Sequence, residues 1–295
     1  DKSIRKTLIF PAMLKFMIKN IIIFFKYKRI IFKKYLKEEN HMKLIQALLI
    51  SIALFISSLS HASTLDEIMK TGVLKVGTTG DFPGWSFMNP ETNEYEGYDI
   101  DVAKKLAEDM GVDIEFVATD WKNLVSGVVA SKYHMTSSAS ITTKRALTAG
   151  YSNSYYGTGT VAMTLAKNLE NIGSWDNINN ANTTVAVTLG TVFENEAKKS
   201  FPDSKIVMVE APAREYQEVL SGRADVSLTS KVDALKLINL YPELSIINID
   251  EPKNAKLFAI LLPRGDQEWI NFINHWISDQ KNKGFFNQTA SKFGL

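Results

Sequence analysis

His134-Met-Thr-Ser-Ser-Ala-Ser-Ile-Thr-Thr-Lys-Arg-Ala-Leu-Thr-Ala-Gly-Tyr-Ser-Asn-Ser-Tyr-Tyr156 is the stretch from which the rest of the chain is best understood. It reads as the end of a buried strand, a turn rich in hydroxyls (Ser137, Ser138, Ser140, Thr142, Thr143), and an arginine, Arg145, at the start of a helix. Backbone N–H groups at a helix N-terminus favour an anion, and the planar guanidinium fork of Arg145 matches a carboxylate. The same residues also suit a plain helix cap with Arg145 as a solvated surface charge. The surrounding sequence has to separate these two readings.

Strands and helices alternate on both sides of it. Val73–Gly77 is a strand that enters the loop Thr78–Trp85, and Asp99–Met110 is a helix stopped by Gly111. Ile114–Ala118 is the next strand, and a helix from Asp120-Trp121 to about Ser131 leads back to His134. Such alternation predicts a parallel sheet with helical crossovers, in which ligands sit beyond the carboxyl ends of the strands. The loops Thr78–Trp85, Thr119–Trp121 and Ser137–Thr143 all fall at that edge.

A second copy of the pattern follows. Thr183–Val187 runs into Thr188–Phe193, Lys205–Glu210 is a strand, Pro212–Leu220 a helix, Ala224–Leu228 a strand and Thr229–Tyr241 a helix. Lys256–Leu262 is apolar and extended, and Trp269, Phe272, Ile273, Trp276 and Ile277 form one face of a helix over Asp266–Asp279. Packing that stripe on the first lobe makes the first lobe discontinuous. The expected organisation is therefore lobe 1 from residues 63–157 plus 252–295 and lobe 2 from residues 158–251, joined by two crossings that act as a hinge.

The N-terminal residues differ in kind. Residues 42–62, MKLIQALLISIALFISSLSHA, have the basic start, apolar centre and small-x-small end of a secretory signal peptide, which predicts export to the periplasm. Residues 1–41 read as an over-extended frame, with a basic membrane-surface helix as the alternative. Of the 34 Lys/Arg and 32 Asp/Glu of the chain, 12 and 3 fall in residues 1–62, so the remainder carries about −7. That sign argues against nucleic acid as a partner. With no cysteine and four scattered histidines, no metal site and no cofactor is expected.

The segments VLKVGTTGDFPGWSF, YEGYDIDVAKKLAEDMG, TDWKNLVSGVVASKY and SSASITTKRALTAGYSNSYY resemble the extracellular solute-binding proteins of family 3 over essentially all of Ser63 to Leu295. These are periplasmic receptors of polar amino acid ABC importers, and cyclohexadienyl dehydratase is an enzyme with the same fold. The resemblance implies an α/β, periplasmic-binding-protein-like fold of two lobes, each with a mostly parallel sheet flanked by helices. The expectation is a monomeric, non-enzymatic receptor that delivers one small carboxylate-bearing solute (an amino acid or related organic acid) to a membrane permease, with a dehydratase acting on prephenate or arogenate as the alternative. Ser140 and Arg145 match the carboxylate clamp, with Ser138 beside them, and Phe82, Trp85 and Trp121 match the aromatics that stack on the ligand. Thr188, Thr191, Ser230 and Asp233 are the candidates contributed by the second lobe.

Two departures stand out. Where amino-acid receptors place an Asp for the ligand ammonium, this chain reads Thr229-Ser230-Lys231, leaving Asp81, Glu210 or Asp233 to meet an amine. Against the dehydratase, the general acid matches Asp233 in place of Glu, the active-site Lys matches Thr160 and an Asn matches Thr188. Ser230/Asp233 and Thr191/Glu194 also have the spacing of capping boxes, a purely structural role.

Overall fold

The computed structural model describes residues 19–20, 22–32, 63–248 and 250–295. The chain divides into two units, Asp1–His61 and Ala62–Leu295. In the first, residues 22–32 are helical and exposed; the signal-peptide segment 42–62 lies outside the described residues. No described helix is long and apolar enough to cross a membrane.

The second unit opens with α1 (Thr64–Thr71), capped by a reciprocal Ser63/Asp66 box and stopped by Gly72. Then come β1 (Val73–Thr78) and a small three-stranded antiparallel excursion of β2 (Asp81–Phe82), β3 (Ser86–Asn89) and β4 (Glu94–Glu96). Helix α2 (Tyr98–Met110), β5 (Asp113–Ala118), α3 (Leu124–Val129), β6 (Met135–Ser140), the single turn α4 (Thr143–Ala146) and β7 (Gly150–Tyr151) complete the first half. The second half runs through β8 (Tyr156–Leu165), β9 (Thr184–Thr188), α5 (Val192–Ser200), β10 (Lys205–Val209), α6 (Glu215–Leu220), β11 (Val226–Ser230), α7 (Lys231–Leu240) and β12 (Leu244–Ile247). The chain returns through β13 (Lys253–Leu262) and ends with α8 (Gln267–Asn282) and α9 (Phe285–Lys292).

Ten strands form one continuous ladder, ordered β10-β9-β11-β8-β13-β6-β1-β5, with β12 beside β8 and β7 beside β13. Pairing is parallel at both ends, where β1 meets β5 and β6 and where β9 meets β10 and β11. The two long strands in the middle, β8 and β13, run antiparallel to each other from Lys253 opposite Thr160 to Phe258 opposite Tyr156. These are the two crossings, and they carry the sheet of one lobe into that of the other.

Each half has its own core. Trp269, Ile273, Trp276 and Ile277 on α8 are buried against Ile68, Val76, Leu106 and Met135 of the first half, as the stripe requires. Each such side chain contributes roughly 1.5–3 kcal/mol by leaving water. The second half buries Val185, Val187, Val226 and Leu228 on one sheet face and Met163, Ala186, Val219 and Leu237 on the other.

Three local expectations are corrected. Ser137, Ser138 and Ser140 are strand residues, because β6 is hydrogen-bonded to β1 on one side and β13 on the other. The helix after Trp121 starts only at Leu124, since the Asp120 carboxylate accepts the Asn123 N–H at 2.8 Å and holds Asp120–Asn123 as a turn. The segment from Pro212 forms helix only from Glu215, after a cis Ala211–Pro212 bond and an extended Arg214.

Gly97 fixes how the β2–β4 excursion meets α2. Its φ of 129° is open to glycine, and a Cβ there would stand 2.3 Å from the Trp85 carbonyl oxygen. Gly97→Ala should therefore destabilise the protein by about 1–3 kcal/mol in urea unfolding. An unchanged midpoint would contradict this placement.

Candidate functional site

Loops from the two halves meet where the sequence places the carboxyl ends of the strands. From the first half come Phe82, Trp121, Ser138, Ser140 and Arg145; from the second, Thr191, Val192, Phe193 and Arg214; Phe258 comes from the crossing strand β13. Together they line an inner pocket with only about 20 Å3 of free space, room for a single water. It adjoins a groove of about 630 Å3 that shares Trp121, Arg145, Thr191 and Val192 and adds Lys122, Lys144 and Gly190. A solute would enter by way of the groove, and the pocket walls would have to part to admit it.

Arg145 stands at the junction. Its guanidinium is bonded to main-chain oxygens, to Ser140 O at 3.4 Å and Gly190 O at 3.2 Å, and not to a carboxylate. Burial pulls its pKa below the ordinary guanidinium value, with Tyr151 partly offsetting that pull. A desolvated guanidinium with spare donors is what a carboxylate would satisfy. The single-turn α4 adds little of a helix dipole; its cap, Thr142, accepts the Arg145 N–H at 3.2 Å and so fixes the root of the side chain.

The aromatic wall is held in place by polar bonds. Trp121 Nε1 donates to Asp81 at 3.0 Å, and its ring packs edge-on against Phe82 at 5.4 Å between centroids. Contacts between the halves frame the pocket: Lys122 pairs with Glu210 at 3.1 Å, and the Gly190 backbone lies so close to Lys122 that a Cβ would meet its nitrogen at 2.7 Å.

Beneath the pocket is a buried charged nest. Arg214 is 4 % exposed, grips Glu215 through two bonds of 2.9 Å, reaches Asp233 at 3.4 Å and donates to the main-chain oxygen of Asp81. Burial pushes Asp233 up to about 7, although Arg214 pulls it down, and its Oδ1 has no partner among the described residues. Burial also penalises ionised Glu215, but Arg214 outweighs it and holds the carboxyl below its ordinary value. Asp99, in the first half, accepts from Tyr155 Oη at 2.8 Å and from Ser138 Oγ, and burial pushes it up to about 7.

Of the residues expected at the site, Phe82, Trp121, Ser138, Ser140, Arg145 and Thr191 line the pocket. Four lie elsewhere. Trp85 is fully buried among Phe82, Tyr98, Tyr156 and Phe258 and serves as core. Thr188 gives its hydroxyl to Glu215, and Ser230 caps α7 by accepting the Asp233 N–H at 3.1 Å. Asp233 sits behind Arg214 and turns its carboxylate to Thr229 instead of completing a capping box. At the other expected box, the Thr191 hydroxyl donates to Thr188 O, and Glu194 reaches back to the Gly190 N–H at 3.3 Å. Arg214, Val192 and Phe258 are pocket residues that no motif singles out, since only the fold turns them to the cleft, whereas Phe193 ends the loop Thr188–Phe193 and lines the pocket with Phe82. Lys256 of β13 lies beside Thr160, paired with Glu196 at 2.7 Å and over the Phe193 ring at 4.8 Å.

Residues 74–295 match the profile of the bacterial extracellular solute-binding proteins, family 3. The chain belongs to that family. Cyclohexadienyl dehydratase of Pseudomonas aeruginosa is 29% identical over 247 residues, covering 83% of this chain and 91% of that protein. The L-cystine-binding protein TcyA of Bacillus subtilis is 22% identical over 77% of this chain and 83% of its own length. The crystal structure of an ancestral amino acid-binding protein, described as a precursor of cyclohexadienyl dehydratase, superposes with a TM-score of 0.74 at 33% identity, covering 79% of this chain and all of that one. This family 3 chain thus resembles both amino acid-binding proteins and an enzyme.

Proposed function

We propose that the protein is the periplasmic substrate-binding component of an ABC importer, which captures a small carboxylate-bearing solute between its two lobes. The observation that carries this reading is Arg145, a half-buried guanidinium that, among the described residues, is bonded to main-chain oxygens and to no carboxylate at the junction of pocket and groove. In this reading residues 63–157 plus 252–295 form one lobe, 158–251 the other, and β8 and β13 are the hinge. Residues 42–62 direct export, and the protein works as a monomer with a membrane permease. The three acids that could meet an α-ammonium are engaged: Asp81 by Trp121, Glu210 by Lys122 and Asp233 behind Arg214. The preferred solute is accordingly an organic acid without an α-ammonium, such as a keto acid. Thermal-shift screening tests this: keto acids should raise Tm more than the matching amino acids, and neutral sugars should not raise it. Stabilisation by sugars alone would overturn it.

Asp233 favours a second reading, that of a dehydratase like the Pseudomonas aeruginosa relative. Loss of a hydroxyl together with a carboxylate needs an acid that stays protonated near neutral pH, and buried Asp233, pushed up to about 7 with a free Oδ1, meets that need. The Arg214 guanidinium lies between Asp233 and the pocket, which ranks this reading second. Incubation with prephenate, read as phenylpyruvate by ultraviolet absorbance, should give no turnover above the uncatalysed rate. Turnover that Asp233→Asn abolishes would reverse the ranking.

A further inference from the structure

Among the described residues lining the inner pocket, the two that carry charge are both arginines, Arg145 and Arg214. Arg214 differs from Arg145 in being surrounded by acids: Glu215 through both carboxylate oxygens at 2.9 Å, Asp233 at 3.4 Å and the Asp81 carboxylate at 3.8 Å. Three carboxylates about one planar cation would make a receptor for a cationic ligand head, except that here the chain supplies the head itself.

We infer that Arg214 is a specificity-determining residue, a built-in cation that fills the nest of Asp81, Glu215 and Asp233 and so excludes solutes with cationic side chains in favour of carboxylates with a neutral body. The inference rests on the reading above in one respect, that Arg145 takes the acid group. Arg214 is not free to swing aside. Its two-pronged bond to fully buried Glu215 would be broken, stranding a carboxylate, and its main-chain N–H is tied to Gln217 Oε1 at 2.9 Å. A ligand cation would meet two like charges on the wall, while the acids that could hold it lie behind one of them. The nest also has an acceptor to spare, since Asp233 is fully buried and its Oδ1 makes no bond among the described residues. Removing the Arg214 side chain would leave a space shaped and charged for a free guanidinium.

Two arms test this. On the wild type, calorimetry with the pairs arginine/citrulline and lysine/norleucine holds the carboxylate and ammonium constant and removes the side-chain charge, the first pair at nearly constant shape and polarity. The neutral member should bind about tenfold tighter or more; equal or tighter binding of the cationic member overturns the inference. The second arm does not depend on a carboxylate. Arg214→Ala should melt below the wild type, and low-millimolar methylguanidinium should raise its Tm while leaving the wild type unchanged. Tetramethylammonium, which lacks N–H donors, should raise neither. An Arg214→Ala protein that methylguanidinium does not stabilise, or that fails to fold even in its presence, overturns the inference. If keto acids bind the wild type no better than their primary amides while methylguanidinium rescues the variant, it is the carboxylate reading that fails and the nest that stands.

Discussion

Replacing Arg145 with lysine should weaken solute binding by about ten- to a hundredfold or more while leaving the fold intact. Lysine keeps the charge but loses the planar fork, so a two-bond contact with a carboxylate becomes a single one. A hydrogen bond to a charged group contributes about 1.5–3 kcal/mol, which sets that range. The fold should tolerate the change because the guanidinium's bonds to main-chain oxygens, Ser140 O at 3.4 Å and Gly190 O at 3.2 Å, are long. Calorimetry on wild type and variant, with the solute that gives the largest thermal shift, checks this. Were Arg145 only a surface charge, the affinity would change less than about twofold.

The second large effect is a stability that falls as pH rises. Asp99 and Asp233 are both pushed up to about 7 by burial, whereas the same groups in the unfolded chain titrate near 4. Between about pH 4 and 7 the folded protein keeps protons that the unfolded chain has released. Stability therefore drops with increasing pH by up to about 1.4 kcal/mol per unit for each group, or about 4 kcal/mol across the window. Groups with a lowered pKa act in the opposite sense. Buried His134, whose pKa is lowered, costs stability as pH falls below about 6.5, and Glu215, held low by Arg214, costs it as pH falls below about 4.3. The clean measurement is a difference in slope. Asp99→Asn loses an acceptor and shifts the whole curve down, since Ser138 and Tyr155 both donate to Asp99. Its urea-unfolding free energy should nonetheless fall less steeply than that of the wild type between pH 5 and 7, by about 1.4 kcal/mol per unit. Parallel curves would show that Asp99 is ionised in the folded protein throughout.

Much of this architecture is legible in the sequence because periodicity and punctuation are local. The α8 stripe from Trp269 to Ile277 and the stops at Gly72 and Gly111 depend on residues within a few positions of one another. The hydroxyl run Ser137–Ser140 misleads for the converse reason. Taken alone it has turn chemistry, and it becomes strand only because Phe258 and Ala259, far away in the chain, pair with Ser140 and Ala139. Trp85 and Trp121 both read as loop aromatics, yet one is sealed into the core by Tyr98, Tyr156 and Phe258 while the other reaches the cleft. Arg214 shows the limit most plainly. An arginine following Pro212 looks like a surface residue at a helix start, and nothing nearby reveals that Asp81, more than a hundred residues earlier, will lie against it.

The central claim is that a guanidinium in the cleft reads a carboxylate. Calorimetric titration of the wild type with the highest-affinity acid and with its primary amide tests it most directly, because the two differ only in the group that Arg145 would grip. The acid should bind at least about tenfold more tightly than the amide. Equal affinity for the two would contradict the account.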